Sequence, residues 1–274
     1  MRLEPGGVAV VTGAASGIGR GLAAEFGRRG LNVVLADVDA GEVRGTAAGL
    51  EEAGGRYLAV PTDVRDRHAL EALAEITLAE FGRVDVFCAN AGVLPARSAS
   101  WEIAPRDVDW ALDVNVKGIL FGLRAFMPVL IAQGRGHIVH TASNVGLGPI
   151  PFLGLYSATK HAVVGLSWAL REELAHACPG IGFTLLCPGG VRTRLHESGR
   201  LRPPAGDGTP ERPPVTALPD RPDPRRILPE DVARQVAVAI ERNQPLVVTD
   251  DDAVRGIREW LHAVEAELRY CPVT

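Results

Sequence analysis

The 274-residue sequence lacks the features that mark several classes of protein. Its four cysteines form no CxxC pair and no metal-ligand spacing, so we expect reduced, buried thiols and no metal site. Lysine and arginine total 29 against 33 aspartate and glutamate, and the net charge of −4 offers no basic surface for nucleic acid or an anionic membrane. No apolar run approaches the roughly 18 residues that cross a bilayer, and the N-terminus lacks the apolar stretch of a signal peptide. These absences predict a cytoplasmic chain with neither nucleic-acid nor membrane partners.

Glycine and proline, in contrast, are more abundant than in an average protein, with 31 glycines and 20 prolines. Nine of the prolines lie between Pro203 and Pro229, where neither a regular helix nor a central strand can form. Two interpretations of this segment stay open: a surface insertion without fixed structure, or a mobile lid over a pocket. We predict a single domain, residues 1–274, that carries a Pro-rich, lid-like insertion at about 198–229.

Short β-branched segments alternate with longer segments of helical period along most of the chain. Several of the short segments are almost continuously apolar, which suits strands that are covered on both faces. This alternation predicts an α/β fold: a doubly wound, seven-stranded parallel sheet flanked by helices on both faces. The predicted strands are 8–12, 32–37, 56–60, 84–89, 137–142, 182–187 and 246–249, and the predicted helices are about 17–29, 39–53, 66–81, 105–132, 155–177, 230–242 and 252–269.

The first predicted strand runs into a glycine-rich turn, Thr12-Gly13-Ala14-Ala15-Ser16-Gly17-Ile18-Gly19, which opens a helix. Glycines allow a tight turn and a close approach of the backbone to a pyrophosphate, while the helix N-terminus supplies unpaired N–H groups. The spacing is GxxxGxG rather than the GxGxxG of other dinucleotide folds. The turn therefore predicts a dinucleotide site, with contacts from Gly13, Ser16, Gly17, Ile18 and Gly19.

Asp37 ends the second predicted strand, eighteen residues after Gly19. A carboxylate at this place can accept hydrogen bonds from both ribose hydroxyls of adenosine and would repel a 2′-phosphate. Asp37 therefore predicts NAD rather than NADP as cofactor, although the nearby cations Arg20 and Arg44 weaken the discrimination.

Tyr156 and Lys160 lie four residues apart and so share one face of a predicted helix. An ammonium group near a phenol lowers the phenol's pKa from about 10, which makes a usable acid/base group. Ser143 precedes Tyr156 by thirteen residues and follows a central strand, at the edge where open α/β sheets bind ligands. The three residues predict an acid/base site.

Several short motifs follow one another in a fixed order. They are Thr12 to Gly19, Asp63-Val64, Asn90-Ala91-Gly92, Asn115 in Asn-Val-Lys-Gly, Ser143, Tyr156 with Lys160, and Pro188 to Thr193. In this set the sequence resembles the short-chain dehydrogenase/reductase family, of the standard-length, single-domain type. The resemblance covers roughly residues 5–195 and the C-terminal third more loosely. One departure is Ala89, where the family often has an asparagine.

The resemblance implies a Rossmann-like fold and a catalytic set of Asn115, Ser143, Tyr156 and Lys160. Tyr156 would be the general acid/base, and Lys160 would lower its pKa and hold the nicotinamide ribose. Ser143 would hydrogen-bond the substrate oxygen, and Asn115 would hold a water that links Lys160 to solvent. The implied cofactor contacts beyond the glycine turn are Asp37, Asp63, Val64, Asn90, Ala91, Gly92, Tyr156, Lys160, Pro188, Gly189, Val191 and Thr193. The family also implies a homo-oligomer, either a tetramer or a dimer.

The substrate pocket is expected to be formed by the loop 93–101, the segment 144–155 and the region after Thr193. The middle segment carries no charge, which favours an apolar alcohol or ketone over a sugar phosphate or a CoA thioester. Four arginines could instead hold an anionic substrate group or form a solvated hinge: Arg192, Arg194, Arg200 and Arg202. The predicted substrate contacts are Ser143, Val145, Leu153 and Tyr156.

The sequence thus predicts an NAD-dependent oxidoreductase that interconverts a secondary alcohol and a ketone on a mainly apolar small molecule. Oxidation is the expected direction. Two alternatives stay open, an enzyme similar to 3-oxoacyl carrier-protein reductase and a non-catalytic nucleotide-sensing protein on the same fold.

Overall fold

A computed structural model describes residues 1–52, 55–203 and 226–268. Within these residues seven strands form one sheet, parallel throughout, in the order β3-β2-β1-β4-β5-β6-β7. The order reverses between β1 and β4, so the carboxyl ends of these two strands border a crevice. The predicted doubly wound, seven-stranded sheet is therefore confirmed. The strands are β1 Val8–Thr12, β2 Asn32–Asp37, β3 Arg56–Pro61, β4 Val86–Ala89, β5 Gly136–Thr141, β6 Ile181–Cys187 and β7 Leu246–Val248.

The central strands are buried on both faces, as their apolar sequences predict. Every residue of β1, β4 and β5 is buried, and Val10 of β1 pairs with Val34 on one side and Phe87 on the other. The edge strand β3 is only partly buried, because it has one neighbour. Burial of both sheet faces requires helices on both, which the crossovers supply.

In the described part of the chain eight α-helices flank the sheet, close to the predicted positions. They are α1 Gly17–Arg28, α2 Ala40–Glu51, α3 Arg67–Phe81, α4 Pro105–Leu112, α5 Gly118–Gln133, α6 Gly154–Ala177, α7 Pro229–Arg242 and α8 Asp251–Glu267. Helix starts follow local chemistry: Asp39, Asp66 and Asp250 cap α2, α3 and α8. One difference is that the predicted helix 105–132 is interrupted by a π-helical turn, Asp113–Lys117, where the Gly118 N–H donates to the Asp113 carbonyl.

An apolar core covers each face of the sheet. On one face α1 and α7 pack together through residues that include Leu22, Phe26 and Ile240. On the other face α3, α5 and α6 contribute residues that include Leu70 and Phe126. The carboxyl edge of the sheet is left to the loops, and that edge contains the site.

One helical stretch of the described residues, Pro105–Gln133, is long and apolar enough to cross a membrane by length and composition. The expectation that no segment approaches this length is therefore wrong by that measure. In the fold, however, Ile119, Phe126 and Leu130 of this stretch are buried against the sheet, and the Phe126 ring stacks on Phe87 at 4.2 Å. Its apolarity is explained by the core that it covers.

Most of the predicted lid-like insertion, residues 204–225, lies outside the described residues, as does Cys271. The beginning of the insertion is described, because Leu195–Leu201 forms a 3-10 helix, and near its other end Ile227 pairs with Val191. Cys88 and Cys187 are buried thiols as expected, whereas Cys178 is half-buried. The single-domain organisation stays a prediction.

Candidate functional site

The floor of the crevice is a set of hydrogen bonds that joins the ends of β1, β4 and β5. The Thr12 hydroxyl accepts the N–H groups of Asn90 at 3.0 Å and Ala91 at 3.1 Å. The Asn90 amide donates to the Thr12 carbonyl at 2.9 Å and accepts the Thr141 hydroxyl at 3.1 Å. Because these groups are partly or fully buried, the three strand ends hold one another in place.

The backbone of the glycine-rich turn, which follows β1, forms the adjoining wall of the crevice. Gly13 and Gly17 have left-handed backbone, with φ of +66° and +52°. A Cβ on Gly17 would lie 2.9 Å from the Thr193 methyl group, and one on Gly19 would overlap the Gly13 carbonyl oxygen. Ser16 precedes α1 in extended conformation, and its side chain caps none of the helix N–H groups. The turn therefore leaves N–H groups and room for an anionic group at the helix start.

Asp37 is fixed beside this turn by two backbone groups. Its Oδ2 accepts the Ala15 N–H at 3.0 Å and its Oδ1 accepts the Asp39 N–H at 3.1 Å. Burial raises the pKa of Asp37 above its ordinary value, against the opposing effect of these N–H groups and the Arg200 guanidinium. Arg200 itself pairs with Asp39 at 3.1 Å. The arrangement places an oriented carboxylate where adenosine ribose binds in this type of fold.

Tyr156 lies in the first turn of α6, close to Ser143, which follows the end of β5 and donates its hydroxyl to the Asn144 Oδ1 at 3.1 Å. Burial raises the pKa of Tyr156 to about 12, and Ser143 opposes this only in part. The Lys160 ammonium nitrogen lies 5.7 Å from the centre of the Tyr156 ring. The protein's own groups therefore do not show the expected lowering of the tyrosine pKa, because burial is the largest influence on the phenol.

Lys160 follows one helical turn later and is buried behind the tyrosine. Its Nζ donates to the Thr141 carbonyl at 3.0 Å, and burial lowers the pKa of Lys160 to about 8. A Cβ on Gly92 would lie 3.4 Å from this nitrogen and 3.3 Å from the Asn115 Oδ1. The glycine therefore leaves room for the ammonium group between α6 and the loop after β4.

Asn115 lies in the π-helical turn and is completely buried. Its Oδ1 accepts the Val93 N–H at 2.8 Å, while its Nδ2 donates to the Val93 carbonyl and the Thr159 hydroxyl, each at 3.0 Å. The side-chain amide thus ties the loop after β4 to α6. The water-holding role that the family implies for Asn115 stays a prediction.

One crevice brings most of the predicted cofactor contacts together, from Asp37 at one end to Tyr156 at the other. The predicted residues that line it are Gly13, Ser16, Gly17, Ile18, Gly19, Asp37, Asn90, Ala91, Gly92, Tyr156, Lys160, Pro188 and Thr193.

Four predicted cofactor contacts do not line this crevice. Asp63 is held by the Arg65 side chain at 2.6 Å, which keeps the pKa of Asp63 below its ordinary value although burial acts to raise it. Val64 is buried against Gly118, at the start of α5. The Gly189 N–H donates to the Thr249 hydroxyl at 3.0 Å. Val191 is buried and forms the isolated bridge to Ile227 described above.

A second pocket, of about 240 Å³, shares Tyr156 with the crevice. One part of its wall is apolar and includes Phe152, Leu153 and Leu155. The predicted middle segment contributes only uncharged residues to this wall, but the wall also carries Glu102, Asp107 and Arg202. Asp107 belongs to α4, Glu102 ends the 3-10 turn Ser100–Glu102, and Arg202 directly follows Leu201.

The predicted substrate contacts divide between the pocket wall and the protein interior. Leu153 and Tyr156 line the pocket, whereas Ser143 and Val145 do not. Ser143 is buried next to Tyr156. Val145 is buried in the 3-10 helix Asn144–Gly146, which packs against α6.

The 3-10 helix Leu195–Leu201 supplies crevice-lining residues that the sequence motifs did not identify. Leu195, Ser198, Arg200 and Leu201 all line the crevice. The Ser198 hydroxyl accepts the Leu94 N–H at 2.9 Å, which fastens this segment to the loop after β4. The arginine-rich composition after Val191 was a signal for this segment, but it did not indicate which residues face the crevice.

Comparison with known proteins agrees with this geometry. Residues 7–202 match the family described as short chain dehydrogenase. A relative, 1-deoxy-11-beta-hydroxypentalenate dehydrogenase of Streptomyces arenae, is 36% identical over 267 residues, which cover 93% of this chain and 88% of the relative.

Two solved structures extend the comparison. A short chain dehydrogenase/reductase from Burkholderia phymatum, solved in complex with NAD, is 34% identical over 100% of both chains, with a TM-score of 0.89. A 3-ketoacyl-(acyl-carrier-protein) reductase from Brucella melitensis, complexed with NADH, is 28% identical, covers 93% of this chain and 99% of its own, and has a TM-score of 0.75. The chain described here belongs to the short chain dehydrogenase family of oxidoreductases.

Proposed function

We propose that this chain interconverts a secondary alcohol and a ketone on a compact, mainly apolar small molecule, with NAD as hydride carrier and Tyr156 as general acid/base. The observation that carries the proposal is the position of Tyr156 in the wall between the crevice and the pocket. Ser143 acts to lower the pKa of its hydroxyl, and Lys160 lies behind it. A group bound in either cavity therefore borders the same phenol.

Bound NAD would supply the hydride acceptor or donor, and the chain's own residues would handle the proton. With its pKa raised to about 12, Tyr156 is protonated at neutral pH and donates its proton to a ketone oxygen. The Ser143 hydroxyl hydrogen-bonds the same oxygen. Alcohol oxidation requires the phenolate instead, and the Lys160 ammonium stabilises that charge while it keeps its proton.

The residues of the crevice fit NAD. The backbone cradle at Gly13, Gly17 and Gly19 would hold the pyrophosphate, since a Cβ at any of them would meet other atoms. Asp37 would accept the ribose hydroxyls, and its carboxylate disfavours the 2′-phosphate of NADP. The solved relatives in complex with NAD and NADH support this cofactor.

The size of the pocket supports a compact substrate. About 240 Å³ lies below the usual range of about 300–1,000 Å³ for ligand pockets. The apolar wall next to Tyr156 suits the hydrocarbon around a carbinol carbon. The Streptomyces relative is named as the dehydrogenase of a hydroxylated compound, which supports an alcohol as substrate.

The proposal is tested with Tyr156→Phe, which removes only the hydroxyl group. We expect turnover of secondary alcohols to fall at least about 100-fold, while NAD affinity measured by calorimetry stays unchanged. Tyr57→Phe is the matched control, because Tyr57 lies on the edge strand β3, away from the crevice, and its variant keeps full turnover. Near-normal turnover in Tyr156→Phe would contradict the role of the phenol, and tighter binding of NADP⁺ than of NAD⁺ would contradict the cofactor.

A substrate panel separates this proposal from the two alternatives. It contains cyclic, aryl and open-chain secondary alcohols and a 3-oxoacyl thioester, each assayed by the absorbance of reduced cofactor. Turnover confined to the thioester favours the carrier-protein reductase. Tight NAD binding with no turnover of any compound favours the nucleotide-sensing protein.

The proposal also includes a cytoplasmic location, a single-domain organisation and a homo-oligomer, either a tetramer or a dimer. The last is supported by the exposed apolar side chains Leu120 and Ile131 on α5, one of the helices through which the family commonly assembles. Sedimentation equilibrium measures the mass of the assembly.

A further inference from the structure

The backbone at the substrate pocket is strained at one residue. Among the described residues, Phe152 and Asn243 are the non-glycine residues in the left-handed region, with φ of +65° and +50°. Asn243 follows the last turn of α7, where a left-handed residue commonly ends a helix and asparagine is well suited to it. Phe152 ends no helix, and a bulky side chain is strongly disfavoured in this conformation.

The strained residue is held by its neighbours on both sides. The Ser98 N–H donates to the Phe152 carbonyl at 3.1 Å, and the Leu153 N–H donates to the Ile150 carbonyl at 3.2 Å. Immediately afterwards the chain enters α6, where the Ser157 N–H donates to the Leu153 carbonyl at 2.8 Å. These bonds fix the backbone, and strain of this kind persists where the surroundings over-determine it.

The strain does not bury the phenylalanine ring in the core. The ring lines the pocket together with Leu153 and Tyr156, and the residue remains 39% exposed. A large apolar side chain held at the pocket wall by a costly backbone conformation gains contact area only when an apolar group covers it. Two independent observations, the backbone angle and the position of the ring, therefore both indicate that the ring contacts a bound apolar group.

We propose that Phe152 is a specificity-determining residue whose ring packs against a ring or broad hydrocarbon surface of the substrate, next to the carbon that is oxidised or reduced. The inference rests on the proposed function and extends it to a substrate class. Cyclic and aryl secondary alcohols are preferred to short open-chain alcohols, because a flat aromatic face matches a flat or bulky hydrocarbon.

The test compares Phe152→Gly with Phe152→Ala on 1-phenylethanol and 2-propanol. Both variants lose the ring, so we expect KM for 1-phenylethanol to rise about tenfold or more while kcat changes little. KM for 2-propanol, which is too small to cover the ring, stays unchanged. Glycine adopts the left-handed conformation without strain and alanine does not, so the Gly variant has the higher Tm of the two.

Ile150→Ala is the matched control. Ile150 lies in the same turn and is also 39% exposed, but it does not line the pocket. Its variant should leave both KM values unchanged.

Three outcomes would overturn the inference. The first is an unchanged KM for 1-phenylethanol in both Phe152 variants, which would make the strained residue purely structural. The second is an equal loss on 1-phenylethanol and 2-propanol. The third is a change of assembly mass on sedimentation with KM unchanged, which would assign the ring to an interface.

Failure of the proposed function is distinguishable from failure of this inference. A wild-type chain that turns over no alcohol overturns the function. Calorimetric titration of 1-phenylethanol into the chain saturated with NADH then measures the ring's contribution without turnover. Equal affinity in wild type and Phe152→Gly overturns the inference, and weaker affinity in the variant supports it.

Discussion

The cofactor crevice and the substrate pocket meet at Tyr156, yet they are built in different ways. The crevice consists of strand ends joined by buried hydrogen bonds, such as those of Thr12 and Asn90, and of glycines with no room for a Cβ. The pocket consists of side chains from loops and helix starts, among them the ion pair of Arg202 and Asp107. A wall made of backbone tolerates little change, whereas a wall made of side chains can be exchanged residue by residue. The shape of the crevice is therefore fixed by the scaffold, whereas the pocket wall can change by replacement of single side chains.

The largest effect is expected from Gly19→Ala, on the crevice side. The new Cβ would overlap the Gly13 carbonyl oxygen, so the backbone of the turn must move, at a cost of about 1–3 kcal/mol. We expect NAD affinity to fall by at least about 100-fold, measured by calorimetric titration, because binding depends on the backbone positions in this turn.

Gly45→Ala is the control for this substitution. Gly45 lies within α2 with nothing within 4 Å of its Cβ position, so the alanine should stabilise the chain by about 0.5–1 kcal/mol in urea denaturation. Normal NAD binding by Gly19→Ala would show that the crevice is as tolerant as the pocket.

An intermediate effect concerns the buried Lys160, whose pKa is lowered from 10.5 to about 8. Between these pH values the unfolded chain keeps a proton that the folded chain has released, so the free energy of unfolding rises with pH. This lowering of the pKa limits the gain in the free energy of unfolding to about 3 kcal/mol. Relative to Lys160→Met, the wild type should therefore gain stability from pH 8 to pH 10, measured by urea denaturation.

Lys117→Met is the comparison variant for this pH dependence. Lys117 is exposed and paired with Asp113 at 2.6 Å, and the Asp113 carboxylate raises the pKa of this lysine. Its variant should follow the wild type across the same pH range. A wild-type curve parallel to that of Lys160→Met would mean that water reaches the lysine and that the interior of the crevice is not dry.

The smallest effect is expected on the pocket side, from Arg202→Met. Arg202 and Asp107 remain partly accessible, with side chains 23% and 13% exposed, so loss of their pairing should cost no more than about 1 kcal/mol. NAD affinity should stay unchanged, while KM for the substrate shifts because the pocket wall has changed. A large loss of NAD affinity in Arg202→Met would show that the pocket wall also contributes to NAD binding, which contradicts the separation of the two cavities.

Much of the fold and of the crevice could be predicted because the signals are local. The apolar run of β1, the glycines after it and the aspartate that ends β2 each occupy a few consecutive residues. Val145 does not line the pocket, because it is buried in a short 3-10 helix, and no periodicity reveals so short an element. Glu102 and Asp107 were missed because they reach the pocket through contacts with residues about 50 positions away along the chain.

The direction of the Tyr156 pKa shift was also beyond the sequence. The sequence shows that Lys160 follows Tyr156 by four residues, but it does not show how deeply the phenol is buried. Burial determines whether the pKa of Tyr156 rises or falls. The motif thus identified the reacting groups, whereas their proton affinities depend on packing that a motif does not encode.

The π-helical turn Asp113–Lys117 makes helix length itself part of the site. Each α-helical residue advances by about 100° around the axis, and a π-helical turn contains one residue more than an α-helical one. Removal of a single residue from this turn would rotate α4 by that angle against α5 and turn the buried face of Trp110 away from the core. The amide of Asn115 would then no longer face Val93, although every named side chain of the site would still be present. The site therefore depends on the rotation of α4 relative to α5 as well as on the identity of its residues.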